Sequence, residues 1–209
     1  MRGLKILLWI AAVIGGAALG FCGWFAASFL HDGLSARANP SRLETIVARK
    51  SRHLSIPAGA RDTANPVADS ADVERDARLH FADHCAVCHG NDGSGEMPMG
   101  RGLYPKPPDL SGEHTQKLSD GELFWIIENG VRFTGMPAFG GGSEHASAED
   151  SWKLVRFLRH LPQLTVEERL EMEKYNPKGP EDRAEEQREE DFMNGGAPQP
   201  ESAPMHHHE

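Results

Sequence analysis

The hydrophobic and polar positions of this chain fall into four successive regimes. In the first, residues 6–30, "ILLWIAAVIGGAALGFCGWFAASFL", no charged side chain occurs over 25 positions. A helix of that length, rising about 1.5 Å per residue, crosses the hydrocarbon core of a bilayer with room for tilt. Trp9 and Trp24 stand near its ends, where interfacial aromatics belong. A signal peptide cut after "ARA" at 36–38 is the competing reading. The apolar region of such a peptide usually runs only about 7–15 residues, which favours a retained anchor. Gly16 and Gly20 make a GxxxG spacing that suits packing against a second membrane helix.

The second regime, residues 31–68, has the pattern of a linker. Leu43, Ile46 and Val47 recur at helical spacing among bases in "PSRLETIVARKSRHLS", a short helix near the lipid surface. "SIPAGARDTANPVADS" then carries helix-breaking prolines at 57 and 66, with Ile56 and Val67 placed to lie against the next domain. A tether of this kind lets that domain swing or dock.

The third regime, residues 69–164, alternates helical stripes with glycine- and proline-rich loops. Asp69 or Ser70 can cap a helix on which Val73, Ala77 and Phe81 recur every four residues. Ser119 with Glu122 opens a helix that stops at Asn129-Gly130, and Ser147 with Asp150 opens another that ends at Pro162. The fourth regime starts with a mostly polar helix over 165–176, opened by Thr165 with Glu168. Residues 177–209, with the charge run "EDRAEEQREED", lack an apolar face and are expected to be disordered.

Charge sharpens this division. The formal net charge is −9, and residues 165–209 carry 13 acids against 5 bases, so the rest of the chain is nearly neutral. No basic stripe with interleaved aromatics occurs, which argues against nucleic-acid binding. Residues 1–5 hold Arg2 and Lys5, which favour a cytoplasmic N-terminus. Against that, residues 37–61 carry six bases and one acid on the far side of the span.

The candidate chemistry lies in "CAVCHG" at residues 85–90. A disulfide between Cys85 and Cys88 would be a redox motif, but no strand alternation flanks it, and the third cysteine, Cys22, lies inside the apolar span. Tetrahedral structural zinc wants four ligands, and no second cysteine pair exists. Covalent haem attachment uses every residue. The two thiols add across the vinyl groups, and the next histidine reaches the iron.

Four segments in order carry a resemblance to a family. "HCAVCHGNDGSG" resembles the attachment site and following loop of membrane-anchored mono-haem class I c-type cytochromes. "YPKPPDL" resembles the family's proline segment, "GELFWIIENGVRFTGMPAF" its helix leading to an axial methionine, and "SWKLVRFLRHLP" its C-terminal helix. The resemblance covers about residues 56–164. It implies an all-α fold, small and built around one covalent haem c, with Cys85 and Cys88 as attachment points. His89 and Met136 are then the axial ligands of the iron, and the Pro108 carbonyl orients the His89 ring. Met97 and Met99 follow His89 too closely to reach the opposite haem face, and His114 is a remote alternative. Tyr104, Trp125, Phe133 and Phe139 are candidates for the haem pocket or for plain core.

The expected function is one-electron transfer in a membrane respiratory chain, not catalysis. The chain would be a single-pass protein of a bacterial cytoplasmic membrane, meeting lipid through residues 6–30. Its haem domain would lie on the outer, periplasmic side and exchange electrons with redox protein partners. Two alternatives stay open. A labile methionine would make a gas or redox sensor, or a weak peroxidase. His206, His207 and His208 in "MHHHE" could instead bind Cu²⁺, Ni²⁺ or Zn²⁺ in a metal-handling protein.

Overall fold

The computed structural model describes residues 2–32, 35–141 and 147–194, and among these it is helical with no strand. The terminal histidines 206–208 lie outside the described residues. In chain order the helices are α1 (Arg2–Asp32), α2 (Arg42–Ser55), α3 (Ala58–Arg61), α4 (Ala71–His84), α5 (Ala86–His89), α6 (Pro98–Arg101), α7 (Glu113–Gln116), α8 (Asp120–Asn129), α9 (Ala148–His160), α10 (Val166–Glu173) and α11 (Pro180–Met193). A 3₁₀ turn over Leu161–Gln163 closes α9 where Pro162 interrupts the pattern. Within α1, Arg2–Ala27 contains an 18-residue stretch with a mean hydropathy of 2.2, and the helix is long and apolar enough to cross a membrane.

The local signals in the third regime are realised in full. Ser70 caps α4, and the Ser119–Glu122, Ser147–Asp150 and Thr165–Glu168 boxes open α8, α9 and α10. Each box satisfies backbone N–H groups that the first helical turn leaves without partners. Cys85 breaks α4 from α5, so the CAVCHG stretch is a separate turn.

The core is a crossing of α4 over α9. Ala77, Phe81 and Ala82 meet Val155, Phe157 and Leu158, with the Phe81 and Phe157 rings 5.1 Å apart. On α8, Phe124 stacks on Trp152 at 4.0 Å between centroids, and Glu128 accepts the Ser151 hydroxyl at 2.6 Å. A third helix, α10, covers the far side of α4, burying Met172 completely. Arg78 of α4 reaches across, its terminal nitrogens 2.6 Å from Glu168 and 2.7 Å from Glu171.

Two expectations are corrected. Residues 42–67 are not a free tether, because Arg61, Asn65 and Val67 are hydrogen-bonded to α8 and α9. Ile56 is only 1% exposed. The Ser119 hydroxyl donates to the Arg61 carbonyl at 2.7 Å, Asn65 donates to the Trp152 carbonyl at 2.9 Å, and Arg156 donates to the Val67 carbonyl at 2.6 Å. At Gly121 a Cβ would stand 1.8 Å from the Ala60 carbonyl, so the approach of α3 to α8 requires glycine there. The prolines at 57 and 66 shape this strap rather than loosen it. The second correction concerns the acidic tail, where residues 180–193 form α11. Alanine, glutamate, glutamine and arginine are strong helix formers, and a proline at the first position suits a helix start. The charge run therefore becomes a solvated helix.

Candidate functional site

The turn after α4 brings Cys85, Cys88 and His89 to the end of the crossing. Successive hydrogen bonds wind this turn: Cys85 N–H to the Phe81 carbonyl at 2.8 Å, then His89 N–H to the Cys85 carbonyl at 3.0 Å. Phe81, from the buried stripe of α4, faces the His89 ring at 6.4 Å. The loop behind is pinned back onto the turn, with Gly95 N–H donating to the His89 carbonyl at 2.7 Å and Leu110 N–H to the Gly93 carbonyl at 2.8 Å. That folding places the proline segment beside the histidine.

Electrostatics separates the three readings of CAVCHG. Both thiols are free. Burial, then the neighbouring Cys88, pushes the Cys85 thiol up to about 12. A redox-active cysteine needs the opposite, a depressed thiol in an electropositive setting. His89 is also held neutral. Burial lowers it to about 4, partly countered by the Pro108 carbonyl facing the ring. That carbonyl does not reach standard hydrogen-bond geometry, so Nδ1 of His89 is buried without a partner. A neutral imidazole, with one nitrogen beside a carbonyl acceptor, is the form in which histidine ligates a metal through its other nitrogen.

The second loop comes from the opposite side. Met136 lies half-buried between α8 and α9. Its carbonyl accepts Val131 N–H at 3.1 Å, its own N–H donates to the Thr134 hydroxyl at 3.1 Å, and Phe139 N–H returns to the Ile127 carbonyl at 3.0 Å. Gly130, at φ 63, permits this return, since a Cβ would stand 2.6–2.7 Å from the backbone of Met136–Ala138. Leu103, from the loop that follows the cysteines, fills the space beside Gly135, only 2.7 Å from where a Cβ would sit. The loops carrying His89 and Met136 are thus in contact. Nothing in the sequence singled out Leu103, because a leucine in a glycine-rich loop gives no periodic signal.

The remaining candidates separate. Met97 and Met99 are exposed beside α6 and line a groove of about 750 Å³ that runs between the CAVCHG turn and α11. Neither cysteine nor His89 lines that groove. His114 is exposed on α7. Phe139 packs against the core, while Trp125 is half-buried and leaves the stacking on Trp152 to Phe124. Phe133 stands 92% exposed at φ 62, and the Tyr104 hydroxyl donates to Glu44 of α2.

These residues fit a covalently tethered haem. Two free thiols flank a turn, a neutral buried histidine with Nδ1 beside the Pro108 carbonyl follows the second, and Phe133 on the methionine loop is uncovered. Comparison with known proteins agrees. Residues 72–158 match the family model described as cytochrome c oxidase, cbb3-type, subunit III. No curated protein matches the chain significantly. The matched stretch spans the α4–α9 crossing, both loops and the CAVCHG turn. Residues 72–158 are therefore a c-type cytochrome domain, a haem c protein fold for electron transfer.

Proposed function

We propose that this membrane-anchored c-type cytochrome domain is a one-electron carrier, or the electron-transfer subunit of a larger assembly, in a bacterial membrane respiratory chain. It would work on the periplasmic face. Cys85 and Cys88 would hold one haem c, and His89 and Met136 would ligate its iron. The observation that carries this reading is the buried, neutral His89 whose unpartnered Nδ1 lies by the Pro108 carbonyl.

A haem iron with both axial positions filled by protein supplies one-electron chemistry and offers no vacancy to a substrate. The chain's own residues prepare that state. With the haem bound, the nearby Pro108 carbonyl would accept a hydrogen bond from Nδ1–H and leave the Nε2 lone pair free to ligate, and proline suits the role because its φ is fixed. Burial keeps His89 unprotonated at neutral pH, so no proton must leave before ligation. Met136, on a loop tied to α8 at both ends, offers a weak sulfur donor that favours the reduced iron and raises the potential. Residues 72–164 carry 14 acids and 9 bases, which suits a partner with an electropositive docking face.

An optical spectrum of the purified full chain, oxidised and reduced, before and after acidic acetone extraction, tests this. Haem that stays with the protein, a low-spin spectrum and a far-red methionine–iron band in the oxidised form are expected. Met136→Ala should keep the haem and lose that band. A wild-type high-spin spectrum would replace the carrier with a sensor or peroxidase, and extractable haem would remove the attachment at Cys85 and Cys88.

A further inference from the structure

Helix α2 is amphipathic the wrong way round for a surface helix. Leu43, Ile46, Val47 and Leu54 fall at i, i+3, i+4 and i+11, one stripe along Arg42–Ser55, and all four are exposed. A helix on a folded domain normally turns such a stripe to the core. Here the polar circumference makes the contacts. His53 Nδ1 lies 2.9 Å from Glu122 of α8, Glu44 accepts the Tyr104 hydroxyl, Arg52 is half-buried, and Arg61 donates to the His53 carbonyl at 2.8 Å. A contiguous exposed apolar stripe marks an interaction surface.

We infer that the apolar face of α2 lies in the surface of the bilayer, with its bases on anionic phospholipid headgroups. The inference rests on reading α1 as a membrane span. Three observations choose lipid as the occupant. Residues 33–41 alone separate α1 from α2, a reach of about 30 Å at most, so α2 starts within reach of the membrane surface. Lys50 sits within the apolar stripe, and Arg42 and Arg49 border it. A lysine in that place buries its stem with the apolar residues while its ammonium reaches the headgroups, as in interfacial helices. Finally, residues 37–61 carry six bases against one acid. That excess is unfavourable on the outer side of a span, and headgroup pairing gives it a use. The strap from α2 through Val67 is bound to α8 and α9, so a membrane-lying α2 holds the haem domain in one orientation instead of leaving it to tumble on a tether.

The test uses the full-length holoprotein with Cys22→Ser, single copies in nanodiscs, and one fluorophore on an introduced cysteine. The sites are Ile14→Cys in α1, Val47→Cys and Leu54→Cys on the stripe, Ala48→Cys on the opposite face of α2, and Lys117→Cys at the end of α7. Quenching by lipid-borne nitroxides is measured as a ratio with and without the quencher, which cancels quenching by the haem. Positions 47 and 54 should be quenched by the shallow nitroxide to about half the extent of position 14 by the mid-chain one, with 48 and 117 unquenched. Replacing phosphatidylglycerol by phosphatidylcholine, or introducing Arg49→Gln with Lys50→Gln, should reduce quenching at 47 about two-fold or more. Quenching at 14 without quenching at 47 and 54 overturns the proposal and leaves the span intact, pointing to a protein partner on the stripe. No quenching at 14 removes the span itself. Equal quenching at 47 in both lipids overturns the headgroup pairing.

Discussion

The two sides of α4 are finished in different ways. Toward α10 the protein completes itself. Arg78, only 7% exposed, spreads its terminal nitrogens over Glu168 and Glu171, with Glu74 at 3.7 Å, and leaves Nε alone without an acceptor. His160 closes the network at 3.0 Å from Glu168 and 3.3 Å from Glu74. Toward the CAVCHG turn, two thiols are unbonded and Phe133 stands almost wholly exposed. An aromatic ring left in the open on so small a domain marks a surface that something else covers. The difference teaches that one half of this small fold is closed by its own side chains, while the other is left to the haem that the family match implies.

The contrast can be broken most forcefully at the cysteines. Cys85→Ser together with Cys88→Ser should abolish covalent haem and, since a group bound only by the native state stabilises it, cost about 5 kcal/mol or more. Thermal unfolding followed by circular dichroism checks it. A domain that still melts cooperatively at the wild-type temperature would show that the cysteine side is self-sufficient after all.

Arg78→Ala attacks the other side. Removing a buried cation leaves three carboxylates facing one another, at a cost of about 3 kcal/mol in chemical denaturation, while the haem spectrum stays unchanged. A spectral change with no loss of stability would mean that the two halves are not separable. Gly121→Ala should push Ala60 away from α8, cost about 1–3 kcal/mol and raise hydrogen exchange selectively across residues 42–67. Uniform exchange across the chain would instead place that strap inside the cooperative core.

The smallest expected effect is in acid. Burial alone would raise the Glu168 carboxyl, but hydrogen bonds from His160 and from the Thr165 backbone and hydroxyl outweigh it and hold it at about 2, below its ordinary 4.5. A depressed carboxyl contributes stability that is complete above about 4.5 and is lost as pH falls toward about 2. Glu168→Gln should therefore lower stability at neutral pH and flatten its pH dependence within that window. A wild-type curve already flat there would show that the pairing contributes nothing net.

Much of the site and the helical frame was legible in the residues. Cys85, Cys88 and His89 stand out because haem attachment demands them adjacent, so chemistry imposes the spacing. The starts of α8, α9 and α10 were equally plain, since a capping box is a contact over three residues. The strap over residues 42–67 was not legible. Prolines at 57 and 66 look the same in a free linker and in a bound one, and the difference lies in carbonyls that meet Ser119 and Arg156 from far along the chain. Helix α11 is hidden for a related reason. A charge run without an apolar face gives no periodic signal, although its residues favour helix individually.

By itself, then, the sequence determined where a helix long and apolar enough to span a membrane, a Cys-x-x-Cys-His turn and three capped helices must lie, because each is governed by contacts within a few residues. Tertiary structure alone decided which face of α2 remains outward, that Leu103 meets the methionine loop, and that Arg78 of α4 meets Glu168 and Glu171 of α10. Those are meetings of residues distant in the chain. Local propensity carries no record of them, and the order in which helices pack does.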